Sequence, residues 1–225
     1  MHTSSNNQHL EFGRQLRQPS GNAGINVGNL MNESNKVMYQ DVFRLLTPKP
    51  ENKLLEIGFG NGKFFNDYFA LEPNLAVTGL DFSETMFTEA FKNNQDLIAE
   101  NKLTLVHGNS DNMPFANDEF DFVIAVNTVY FWPSAHDQLL EIKRVLKNGG
   151  ALLLGYRPKN AVKDAPFTKE VFTLYEPEEI NQLLVNAGFT IEKETDNFIS
   201  VKTSEGKEIQ MQGKAVMAKK PGITD

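Results

Sequence analysis

Short apolar runs at 54–57, 75–80, 103–106, 120–126 and 151–156, with amphipathic stretches between them, constrain this chain more than any other feature of its sequence. In the stretch 83–99, Met86, Phe87, Ala90, Phe91, Leu97 and Ile98 mark one helical face, and in 135–146 Leu139, Ile142, Val145 and Leu146 do the same. Runs this short read as strands, and their alternation with helices predicts a parallel sheet covered on both faces, an α/β fold. After Tyr156 a linker bearing Pro158, Pro166 and Pro177 leads to a helix with Ile180, Leu183, Leu184 and Ala187, closed by Gly188. Two strands then follow without a helix between them, at 189–194 and 209–218, with Ser204-Glu205-Gly206-Lys207 as the turn. They predict an antiparallel hairpin at the sheet edge.

Residues 1–28 are polar, carry Gly13, Gly21, Gly24 and Gly28, and read as a mobile arm. From Leu30 the positions Leu30, Val37, Met38, Val42, Leu45 and Leu46 keep helical spacing until Pro48 and Pro50 stop it. The expected organisation is an arm and helix over 1–50 and one α/β domain over 51–225, a length that a single core can serve.

Run 54–57 ends in Glu56-Ile57-Gly58-Phe59-Gly60-Asn61-Gly62, a glycine-rich turn before a helix at 63–71. Ligands of open α/β sheets bind at this edge, and glycine lets the backbone take positive φ and lie bare against them. A dinucleotide fingerprint needs a further glycine where this chain has Lys63, which weakens a nicotinamide reading. Glu56 places a carboxylate in an apolar strand, where it needs a partner. Asp81, at the end of the next run, either accepts both hydroxyls of a ribose or caps the following helix, a role for which Ser83 competes. After the third run, His107-Gly108-Asn109-Ser110-Asp111-Asn112 forms a polar loop whose side chains suit an adenine edge.

Lys and Arg number 22 against 29 Asp and Glu, a net charge of −7 that opposes a nucleic-acid partner. The absence of Cys removes disulfides, thiolate metal sites and a cysteine nucleophile. No metal is expected. No stretch approaches a membrane span and no apolar leader opens the chain, so the expectation is a cytoplasmic protein, monomer or homodimer.

The ordered blocks LLEIGFGNGKF, VTGLDFSETM, HGNSDNMPFANDEFDFVIAVNTVYFW and EIKRVLKNGGALLLG resemble class I S-adenosylmethionine-dependent methyltransferases of the small-molecule type, the group that includes the ubiquinone and menaquinone biosynthesis enzymes. The resemblance covers about residues 53–156. It implies a Rossmann-like, doubly wound, mostly parallel sheet of seven strands with an antiparallel edge pair, S-adenosyl-L-methionine as cofactor, and a small-molecule acceptor attacking through O, C or N. By position it implies Glu56, Gly58, Phe59 and Gly60 around the methionine part, Asp81 on the ribose and Phe82 on adenine. Ser110 and Asp111 would meet the adenine amino edge, and Asn127 would lie beside the sulfonium. Asn127-Thr128-Val129-Tyr130 lacks the prolines of the Asn-Pro-Pro-Tyr signature of base and glutamine methyltransferases, which opposes those branches.

Methyl transfer depends mainly on alignment, which contributes on the order of 7 to 11 kcal/mol in favourable cases. The candidates for proton removal are Tyr130 and His136, and those for substrate contact are Tyr39, Tyr130 and Arg157, the last suited to an acidic acceptor. His136 equally suits a solvated helix start. The segment 13–28 reads as a lid closing on its glycines, with Met31, Asn32 and Asn35 behind it, or else as a tail. Competing readings are a non-catalytic cofactor-binding module and a nicotinamide-dependent oxidoreductase.

Overall fold

The computed structural model describes residues 2–202, 206 and 208–222. Its helices are α1 (His2–Arg17), α2 (Gly21–Leu45), α3 (Phe65–Leu71), α4 (Glu84–Asn93), α5 (Gln95–Ala99), α6 (Ala135–Val145), α7 (Lys159–Val162) and α8 (Pro177–Asn186). Its strands are β1 (Lys53–Ile57), β2 (Ala76–Asp81), β3 (Leu103–His107), β4 (Phe120–Val126), β5 (Leu146–Tyr156), β6 (Thr190–Lys202) and β7 (Glu208–Lys219). They form a seven-stranded sheet in the order β3-β2-β1-β4-β5-β7-β6, with β1 to β5 parallel and β7 antiparallel to both β5 and β6. This is the α/β architecture with an antiparallel edge pair that the sequence predicts.

The period-two alternation of a strand explains how one short run feeds two cores. Along β1, Leu54 packs with Val42, Phe65, Tyr68 and Ile124 beneath α2 and α3. Leu55 and Ile57 pack with Leu139, Ile142 and Leu184 beneath α6 and α8. Each such fully buried side chain contributes about 1.5–3 kcal/mol of transfer free energy. Strand order reverses between β1 and β4, and the connections leave in opposite directions there. The crevice this opens at the carboxyl edge is where such sheets bind ligands.

Tertiary packing alters several boundaries. The polar segment expected as a mobile arm is helical: α1 covers most of it and α2 begins at Gly21, well before Leu30. Three of its four glycines sit at close contacts. A Cβ on Gly13 would lie 2.4 Å from Phe167 O, one on Gly24 2.6 Å from the Pro19 carbonyl carbon, and one on Gly28 2.9 Å from Met86 Sδ. Side-chain periodicity is weak there because these helices dock through bare backbone.

The helix expected at 83–99 breaks at Asn94, whose buried amide donates to Ala90 O at 2.9 Å and to Gly62 O at 3.2 Å, tying the break to the glycine-rich turn. The strand expected at 189–194 runs on to Lys202 because, past an irregularity between Ile191 and Lys193, β7 pairs with it residue for residue. Gly206 apart, the turn expected at 204–207 lies outside the described residues.

Candidate functional site

The turn after β1 needs its glycines for two reasons. Gly58, Gly60 and Gly62 have φ of 74°, 58° and 72°, the left-handed region that side chains disfavour. A Cβ on Gly58 would also lie 2.4 Å from Thr128 Cγ2, and one on Gly62 2.6 Å from Asn94 Nδ2. At Gly60 nothing stands within 4 Å of that position. Gly60 therefore presents bare backbone to open space.

That space is a cavity of about 420 Å³. On its sheet side it is bounded by Gly58, Phe59, Gly60, Asp81, Phe82, Ser110, Asp111 and Asn127, all of the residues expected around a cofactor except Glu56. Asp81 is buried, accepting from Gly60 N at 3.0 Å and Ser83 N at 2.8 Å. Burial pushes its carboxyl up to about 6 despite these bonds. Ser83, not Asp81, caps α4, accepting from Met86 N at 3.1 Å. The carboxylate keeps lone pairs for a ligand.

Glu56 lies one layer back. It shares the face of β1 that meets α2 and α3, and the Tyr39 hydroxyl donates to it at 2.5 Å. Tyr68 Oη faces the same carboxylate without closing to hydrogen-bond geometry. Burial raises the Glu56 carboxyl to about 7, against the lowering effect of the Tyr39 bond. Tyr39, stacked on Phe64 with centroids 3.8 Å apart, lines the cavity in front of it.

At the end of β4, Asn127 adopts φ 55°. Its Nδ2 donates to Asn35 Oδ1 at 2.7 Å, and its Oδ1 accepts from the Tyr130 hydroxyl at 3.0 Å. Tyr130 Oη also accepts from Arg157 N. Tyr130 is thus a buried brace behind the cavity wall, with its hydroxyl raised above the ordinary tyrosine range by burial.

Besides Glu56 and Tyr130, two more expected contacts fall outside the lining. His136 is exposed on the first turn of α6 and does not line the cavity, because the Ser134 cap sets Ala135, Gln138, Leu139 and Ile142 inward instead. Arg157 does not line it either: its Nη2 donates to Ser34 O at 2.7 Å, while Nη1 is buried without a hydrogen-bond partner among the described residues.

Other lining residues were not singled out from sequence. Gln138 is buried, and its side chain exchanges hydrogen bonds with Ser110, accepting from Oγ at 3.1 Å and donating to the carbonyl. A polar residue on the apolar face of α6 was the available signal. Leu16, Arg17, Gln18 and Pro19 close the cavity from the arm, where Ser83 Oγ donates to Pro19 O at 2.6 Å. Met31, Asn32 and Asn35 of α2 line it as the sequence suggested. Among the described residues no histidine lines the cavity, and no cluster of metal-ligating side chains forms.

Comparison with known proteins places a family model described as "Methyltransferase domain" on residues 55–154. A demethylmenaquinone methyltransferase of Staphylococcus haemolyticus is 30% identical over 144 residues, which are 64% of this chain and 58% of that protein. A Bacillus subtilis protein described as the methyltransferase YdaC is 26% identical over 63% of this chain and 76% of its own length. Among solved structures, the methyltransferase complexed with the Haloferax volcanii Trm112 methyltransferase activator shares the fold. Its TM-score is 0.72 over 86% of this chain and 93% of that one, at 17% identity.

Proposed function

We propose that the chain transfers a methyl group from S-adenosyl-L-methionine to an O, C or N nucleophile on a small molecule, a reading supported by the methyltransferase-domain match over residues 55–154. One observation carries the reading. The bare backbone of Gly60, the buried carboxylate of Asp81 and the polar loop at Ser110 and Asp111 border the same cavity that continues beneath Asn127 to the arm. One chamber therefore offers a nucleoside end and an acceptor end.

S-adenosylmethionine supplies a methyl group on a positively charged sulfur. The chain's residues suit it at each part. Asp81, held by the Gly60 and Ser83 amides, is oriented to accept ribose hydroxyls. Phe82 offers its ring to adenine. Ser110 is committed to Gln138, which leaves Asp111 the freer side chain for the adenine amino group. Gly58 and Gly60 admit the methionine part close to backbone, with the Glu56 charge behind Tyr39. Asn127, fixed from both sides by Asn35 and Tyr130, holds a rigid amide where β4 ends.

Arrangement rather than proton removal is the contribution this geometry supports, since the Tyr130 hydroxyl is engaged and His136 faces outward. Calorimetric titration tests the reading. S-adenosylhomocysteine should bind the wild type, Asp81→Ala should bind it at least tenfold more weakly, and NADH should not bind. Binding of NADH in place of S-adenosylhomocysteine would overturn the assignment in favour of an oxidoreductase.

A further inference from the structure

Arg17 is the one cationic side chain among the described residues that line the chamber. It has no hydrogen-bond or ion-pair partner among them, whereas its neighbour Arg14 faces Glu11 at 3.9 Å. Its place in the last turn of α1 suits the negative end of the helix dipole, but Arg14 serves that end equally. The dipole does not explain why Arg17 faces the cavity.

Three features hold it there. Ser20 N donates to Gln15 Oε1 at 2.9 Å, closing the turn after α1. Ser83 Oγ donates to Pro19 O at 2.6 Å, and Gly21 N to Thr85 Oγ1 at 3.1 Å, seating that turn on the start of α4. At the other end, Gly13 lies against Phe167 O, and the Phe12 ring meets Phe167 edge-on at 5.4 Å. An unpaired guanidinium is therefore carried over the chamber by a docked helix, in a chain whose net charge is −7.

Resting on the methyltransferase reading above, we propose that Arg17 is an anion anchor, contributed by the arm, that pairs with a carboxylate of a ligand bound in the chamber. A single guanidinium matches a monoanionic carboxylate, in a two-pronged pair that lysine cannot reproduce. A phosphate dianion calls for further donors, and among the described residues no other cation lines the wall. Arg157 does not compete for the role, because its guanidinium is turned to Ser34 O behind that wall. The carboxylate belongs either to the amino-acid end of the cofactor or to the acceptor.

Two pairs of probes separate these sources. S-adenosylhomocysteine and 5′-methylthioadenosine differ by the amino-acid end, and benzoate and benzamide differ by the charge. Each is titrated by calorimetry into wild type, Arg17→Gln and Arg17→Lys. The second pair is also followed with S-adenosylhomocysteine present, through the fluorescence of Trp132, the chain's single tryptophan, which lines the chamber. If the cofactor is the partner, Arg17→Gln weakens S-adenosylhomocysteine about tenfold and leaves 5′-methylthioadenosine within twofold. If the acceptor is the partner, benzoate weakens about tenfold while benzamide and S-adenosylhomocysteine do not. Arg17→Lys recovers part of either loss. Unchanged binding of all four ligands by Arg17→Gln overturns the anchor, as does tighter binding of phenyl phosphate than of benzoate. Failure of the wild type to bind S-adenosylhomocysteine would count against the methyltransferase reading alone, and the benzoate pair would still decide the role of Arg17.

Discussion

The Tyr39 hydroxyl donates to the Glu56 carboxylate at 2.5 Å, so helix α2 closes over the charge carried by β1. Asp81, at the end of the neighbouring strand β2, is the second buried carboxylate of the site. Neither has an ion-pair partner among the described residues.

This arrangement makes stability depend on pH. Both carboxyls lie above their ordinary values, at about 7 against 4.5 for Glu56 and about 6 against 3.8 for Asp81. The native state therefore keeps protons that the unfolded chain has released, and stability falls as pH rises from about 4 to about 7, then levels. Each group contributes a loss on the order of 3 kcal/mol. Urea midpoints measured from pH 4.5 to 8 should decline accordingly. Glu56→Gln should flatten the upper part of that decline; an unchanged profile would mean that the carboxyl titrates normally.

Gly58 and Gly60 share a positive φ but differ in surroundings. Gly60→Ala adds a methyl to open space and should cost about 1–2 kcal/mol from backbone strain alone, while weakening S-adenosylhomocysteine at least tenfold. Gly58→Ala adds the same strain and drives the methyl into Thr128, so its stability loss should be the larger. Paired chemical denaturation and calorimetry check the order, and equal stability losses would contradict it.

The arm is docked by close packing. Gly13→Ala places a methyl 2.4 Å from the Phe167 carbonyl oxygen and should lift α1 from the 166–168 turn. Limited proteolysis should then cut within α1 several-fold faster than in the wild type, and S-adenosylhomocysteine should slow cleavage of the wild-type arm. Cleavage at one rate in all three cases would argue that the arm takes no part in the site.

Tyr130 and His136 should behave oppositely. Tyr130→Phe leaves Asn127 Oδ1 and Arg157 N without the hydroxyl they share, for a loss of about 1–3 kcal/mol. It should also lower the methyl-transfer rate more than it raises the Michaelis constant. His136→Ala, altering an exposed side chain outside the chamber, should change neither stability nor rate more than twofold. A large loss on His136→Ala would restore it as a base.

The sequence by itself determined the sheet and the residues that meet at its carboxyl edge. Strand and helix periodicities are local, so β1 to β5 and the helices between them could be placed from spacing, and the terminal pair from its lack of an intervening helix. Glu56, Gly58, Gly60, Asp81 and Asn127 lie at strand ends, and the carboxyl ends of parallel strands meet at one edge in any such fold. Only the tertiary structure decided the part of the chamber that the arm covers. The arm carries no strong apolar stripe because it docks through Gly13 and Gly28 and folds against its own Pro19 at Gly24, glycines whose packing value lies in what they lack. Turned by the Gln15–Ser20 closure, it brings Arg17 over a chamber whose sheet-side wall begins some forty residues later in the chain, at Ile57. In the same way the Ser134 cap set the phase of α6 and turned Gln138 inward and His136 out. Residue type names the chemistry a side chain can do, but its direction follows from helix phase and docking, which depend on contacts distant in sequence.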